Sequence, residues 1–136
     1  MYDVISFGEA MLRLSSRNFE RIEQTNIFNI EVGGAELNAA IGTSRLGCRS
    51  AWISLLPENS LGYLTLSKIR STGLDTSLIK MSDKGRMGLY FVEFGASPRR
   101  IKVIYDSRRW SSGLGEKKHF DFKKLLKTRL FHVSGI

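Results

Sequence analysis

Val4-Ile5-Ser6-Phe7 is the first stretch with a clear polarity pattern, a short β-type run stopped by Gly8. From Glu9 to Glu31 the pattern is mixed, and alternating pieces such as Met11-Leu12-Arg13-Leu14 predict half-exposed strands. Gly33-Gly34 opens a helical stretch from about Ala35 to Leu46, in which Leu37, Ala40, Ile41 and Ser44 recur at helical spacing. Gly47 supplies its left-handed stop. Ser50 to Leu56 reads as a buried strand. Asn59 or Ser60 can cap a second helix, with Leu61, Leu64 and Ile69 along one face and Gly73 at its end. A short strand is predicted over Thr76 to Met81, and two longer ones over Met87 to Phe94 and Ile101 to Asp106. Turn chemistry in Gly95-Ala96-Ser97-Pro98 makes the last two a hairpin. A helix near Phe122 to Thr128 and a strand at Leu130 to Val133 complete the pattern.

Strand, helix, strand, helix, strand implies parallel βαβ units, to which an alternating hairpin is foreign; it reads as an antiparallel appendage. In open α/β sheets the ligand chemistry sits where strands end and helices begin. The chain stops at Ser134-Gly135-Ile136, directly after a predicted strand, so the expectation is an incomplete α/β domain.

Composition narrows the class. The 136 residues fit one domain, and 42% hydrophobic and 25% charged residues are ordinary for a globular protein. No apolar run approaches bilayer length, and the start lacks the basic and apolar regions of a secretory signal. Cys48 is the single cysteine; beside a helix stop it reads as a packing residue. A cytoplasmic location is expected. The net charge of +8 arises locally: eleven Lys and Arg against three Asp and Glu fall within residues 99–129, while residues 1–98 are neutral. These cations spread over a strand, a loop and a helix with no nucleic-acid module, so a solvated basic face outranks nucleic-acid binding. No membrane or nucleic-acid partner is expected.

The strongest local feature is Gly33-Gly34-Ala35-Glu36-Leu37-Asn38-Ala39-Ala40. Paired glycines let a ligand approach the backbone, and free amides at a helix start attract anionic or oxygen-bearing groups. Asn38 adds a donor and an acceptor suited to polyols. No Gly-x-Gly-x-x-Gly follows the first strand and no P-loop occurs. His119 and His132 lack surrounding Cys or carboxylate patterns, and no metal site is expected.

This motif, continuing to Arg45-Leu46-Gly47, resembles the first signature of the ribokinase-type (PfkB) carbohydrate kinases. The opening Asp3-Val4-Ile5-Ser6-Phe7-Gly8-Glu9-Ala10 is similar to the same family, as is Gly73-Leu74-Asp75-Thr76-Ser77-Leu78-Ile79. Gly88 to Arg99, Val103-Ile104-Tyr105-Asp106 and Phe131 to Ile136 resemble the 2-keto-3-deoxygluconate kinase branch. The resemblance implies a ribokinase-like three-layer parallel-sheet core, here incomplete, with a small antiparallel β-sheet lid whose strands lie within 9–32 and 87–106. It implies that residues 1–136 are the amino-terminal part of that domain. A sugar acid would lie between core and lid, at Gly33 and Gly34, Asn38, Tyr90 and Tyr105. An arginine would hold its carboxylate bidentately. That arginine is Arg108 if Ser107 is a one-residue insertion, with Arg109 as the alternative.

Two departures matter. Pro57 stands where the family usually has glycine, and Asn59 where it has aspartate, so the local turn should differ or be strained. The late Gly-x-Gly-Asp motif that carries the family's general base does not occur in these residues. ATP and Mg2+ are expected for a full-length member, with their site and all catalytic residues outside this chain. The chain alone is expected to be inactive. The rival expectation is a non-catalytic binding or pairing module that forms a homodimer through the lid.

Overall fold

A computed structural model describes residues 1–106, 120, 123 and 127–134. Ten elements follow one another among the described residues. They are β1 (Tyr2–Phe7), β2 (Met11–Ser16), β3 (Phe28–Gly33), α1 (Ala35–Arg45), β4 (Ser50–Pro57), α2 (Ser60–Arg70), β5 (Ile79–Ser82), β6 (Gly88–Glu93), β7 (Lys102–Asp106) and β8 (Thr128–His132).

They form two sheets. The first, in the order β5-β4-β1-β8, is parallel throughout, with Val4 against Ser50 and Tyr2 against Thr128. Its strand β4 is buried at every residue, as a central parallel strand covered on both faces must be. On one face, Trp52 and Leu56 of β4 pack with Leu37 and Ala40 of α1 and Leu66 and Ile69 of α2. Each such buried leucine or isoleucine contributes about 1.5–3 kcal/mol relative to exposure. On the other face, Ile5, Ala51 and Ile53 gather with Leu78, and Phe120 packs against them.

The second sheet, in the order β3-β2-β6-β7, is mixed. The hairpin β6–β7 and the pair β2–β3 are antiparallel, but β2 and β6 join in parallel. That pairing has no local signature, because the partners lie more than seventy residues apart. Ile30, Val32 and Leu89 press this sheet against the first core cluster, so the two sheets share one hydrophobic interior.

Local signals set the helix ends. Gly47, at φ +89°, closes α1 in the left-handed region. Asn59 rather than Ser60 caps α2, its Oδ1 accepting from the Leu61 and Gly62 N–H groups at 3.0 and 3.1 Å. Pro57 pairs with Ser82 at the end of the β4–β5 ladder. The β1–β4 ladder ends at Phe7 and Ile53, so no β1 partner lies opposite the proline, while the Glu58 N–H donates to the Ser82 carbonyl at 2.7 Å.

Two boundaries differ from the sequence reading. The strand expected over Thr76 to Met81 begins only at Ile79, because the Asp75 side chain accepts from the Ser77 N–H at 2.8 Å and holds a turn. Thr128, expected at a helix end, opens β8 by pairing with Tyr2. The rest of the helix expected near Phe122 lies largely outside the described residues.

Candidate functional site

The carboxyl ends of β1 and β8, the start of α1 and the second sheet surround a cavity of about 640 Å³. Gly8, Met11, Gly34, Glu36, Tyr105 and Ser134 are among its walls. The volume falls in the range of small-molecule pockets, roughly 300–1,000 Å³.

Gly34 is the N-cap of α1 and offers no side-chain cap, so the first-turn amides are left to other acceptors. A Cβ at Gly34 would overlap the Glu9 carbonyl oxygen, so only glycine lets the β1–β2 connection close on the helix start. A Cβ at Gly33 would stand 2.7 Å from the Tyr90 hydroxyl, which places that phenol directly over the glycine. Tyr90 and Tyr105 are opposite residues of the β6–β7 ladder; their rings stack with centroids 5.6 Å apart at 19°. Tyr105 is 59% exposed and faces the cavity. Asn38 is exposed one turn into α1, where its N–H donates to the Gly34 carbonyl at 2.8 Å. It is not among the lining residues. Arg108 and its alternative Arg109 lie outside the described residues.

Sequence reading missed Glu36. It sits in the first turn of α1, where acids ordinarily face water and favour the helix dipole. Here it is only 5% exposed. One carboxylate oxygen accepts from the Ser134 N–H at 3.0 Å and from the Ser134 hydroxyl. Gly8 makes room for it, since a Cβ there would collide with the carboxylate. Burial pushes the Glu36 carboxyl up, but the Ser134 hydroxyl and the Ser134 and Glu36 N–H groups outweigh it and hold the group below its ordinary value. The side chain therefore remains an anion that fastens the end of β8 to the start of α1. The sequence signal was present, an acid within the glycine motif, but nothing local discloses a partner 98 residues away.

The arrangement provides a backbone-lined floor, an aromatic wall on a separate sheet, and polar groups at the strand ends. Such a setting suits a small polyhydroxylated ligand gripped between two layers. Comparison with known proteins agrees with this architecture. The pattern of the pfkB family carbohydrate kinases matches residues 1–136. The chain belongs to that family. It is 40% identical over 104 residues to the 2-dehydro-3-deoxygalactonokinase of Haloferax volcanii, covering 76% of this chain and 32% of that protein. The crystal structure of 2-dehydro-3-deoxygluconokinase from Thermotoga maritima superposes with a TM-score of 0.91 at 38% identity, over 97% of this chain and 40% of that one. A sugar kinase from Pyrococcus horikoshii, solved in complex with ATP, shares the fold with a TM-score of 0.81 at 21% identity, over 94% of this chain and 41% of that one. The fold is thus the ribokinase-like α/β fold of these kinases. The chain spans about a third of the length of the curated relatives it matches. Among the described residues, no helix is long and apolar enough to cross a membrane.

Proposed function

We propose that this chain is the substrate-side part of an ATP-dependent sugar kinase, and that it binds 2-keto-3-deoxygluconate or a related sugar acid. The observation that carries the reading is the meeting of Gly34 and Tyr105 across one cavity, with Tyr90 stacked on Tyr105 and standing over Gly33. The second sheet acts as the lid over that cavity. Gly34 presents backbone to the sugar, Tyr105 covers it, Tyr90 orients Tyr105, and Asn38 supports the floor from the first turn of α1. Arg108 holds the substrate carboxylate. Relatives named for two epimeric keto-deoxy sugar acids support this class of substrate.

Phosphoryl transfer depends on positioning and charge stabilisation around the nucleotide phosphates. No Gly-x-Gly-Asp sequence occurs in the 136 residues, so this chain by itself binds sugar without transferring phosphate. ATP and Mg2+ belong to the remainder of the kinase fold. The location is cytoplasmic, and neither nucleic acid nor membrane is a partner.

Calorimetric titration with 2-keto-3-deoxygluconate tests the reading. Binding by the wild-type chain, lost in Tyr105→Ala, is expected; an unchanged affinity in that variant overturns the assignment of the cavity.

A second reading, a pairing module, is favoured by the outer strand of the second sheet. In β7, Val103, Ile104 and Tyr105 are 45%, 42% and 59% exposed, and one edge of β7 has no strand partner among the described residues. Exposed edges of this kind invite a second copy. Sedimentation decides: a dimer that Ile104→Lys dissolves supports pairing through the lid, and a monomer excludes it.

A further inference from the structure

Among the described residues, two buried side-chain nitrogens lack a hydrogen-bond partner, Trp52 Nε1 and Arg13 Nε. Trp52 is inside the core, 0% exposed. Arg13 is different, because it belongs to the second sheet and shares a face with the candidate site.

The registers fix that face. Glu31 of β3, Arg13 of β2, Tyr90 of β6 and Tyr105 of β7 are successive partners, so their side chains project from one side of the sheet. Met11, two residues before Arg13 and therefore on the same side, lines the cavity, as does Tyr105. Met11 is flanked by Gly33 and Gly88, so the row nearest the cavity is low, and Tyr90 leans over Gly33. An arginine side chain is long enough to cross the two-residue step of about 7 Å from its own row to that of Met11.

A strand arginine ordinarily keeps its head in water or pairs with a neighbouring acid. Glu31 is the cross-strand acid available to Arg13, but its carboxylate instead faces Lys68 of α2 at 3.7 Å. A buried guanidinium nitrogen without a partner is costly, and one placed on the face of a candidate site points to a functional role. We infer that Arg13 is a specificity-determining residue of the sugar site, its guanidinium taking the carboxylate of the sugar acid from the lid side. A fixed cation there would select acids over neutral sugars. This rests on the sugar-acid reading above.

The test is calorimetric titration of the 136-residue chain with 2-keto-3-deoxygluconate, for wild type, Arg13→Gln, Arg13→Lys and Lys80→Gln, with melting temperatures alongside. Arg13→Gln is expected to weaken acid binding at least tenfold while melting no lower than wild type, since it removes an unsatisfied donor. Arg13→Lys should recover part of the loss, because a point charge replaces a fork. Lys80→Gln removes an equal charge from an exposed position of β5 and should leave the affinity within twofold. An Arg13→Gln affinity within twofold of wild type overturns the assignment while leaving the sugar-acid reading intact. Equal losses in Arg13→Gln and Lys80→Gln also overturn it, by showing a general field effect. A wild-type chain that binds no sugar acid overturns the proposed function, and this inference with it.

Discussion

Replacing Glu36 by alanine tests whether the contact between β8 and α1 holds the site together. The substitution removes the acceptor of the Ser134 N–H and of the Ser134 hydroxyl, and it leaves the N–H without that partner in a half-buried setting. A hydrogen bond to a charged group contributes roughly 1.5–3 kcal/mol, and an orphaned buried donor costs about 1–3 kcal/mol. Against this stands the cost of burying a carboxylate, which the variant no longer bears. We expect a net loss of about 2 kcal/mol. With an unfolding entropy of about 2.1 cal/mol/K per residue, that lowers the melting temperature by about 7 °C for a chain of this length. The folded Glu36 carboxyl titrates below its ordinary value, so its contribution is complete above the ordinary carboxylate range and fades as pH falls through the folded pKa. Thermal denaturation followed by circular dichroism at pH 7 and in the acid range reads both effects. The gap between wild type and Glu36→Ala should be wide at pH 7 and narrow in acid. A shift below about 1 °C at pH 7, or a gap indifferent to pH, would refute the role given to Glu36.

Gly34→Ala drives a methyl group into the Glu9 carbonyl and should destabilise the chain by about 1–3 kcal/mol, the usual cost of overpacking; urea denaturation checks it. Asn59→Ala removes the cap of α2 and should cost about 1 kcal/mol, whereas Asn59→Asp should cost far less, as the same melts would show. Tyr105→Phe preserves the stack on Tyr90 and should melt like wild type, while Tyr105→Ala should lose about 0.5–1.5 kcal/mol of ring pairing. A lower melting point for the phenylalanine variant would show that the exposed hydroxyl supports the fold.

The sequence by itself determined the local elements and the ancestry. Helix starts and stops were legible at Gly34, Gly47 and Asn59, because caps and left-handed turns are short-range chemistry. The β4 run and the β6–β7 hairpin were legible for the same reason, since burial and turn preference act within a few residues. Thr76 to Leu78 misled, because an aspartate two residues before Ser77 offered the backbone a turn that β-propensity does not weigh.

What the tertiary structure decided was which distant residues meet. The parallel join of β2 to β6 turned two antiparallel pairs into one mixed sheet, and it placed Arg13 beside Tyr90. Glu36 became a buried anchor only through Ser134, 98 residues away along the chain. Side-chain periodicity reveals which face of a strand is buried, yet it carries no information about the neighbouring strand. The glycine signature was therefore visible from residue types, while the buried anion and the unpartnered Arg13 Nε appear only once the two sheets close on each other.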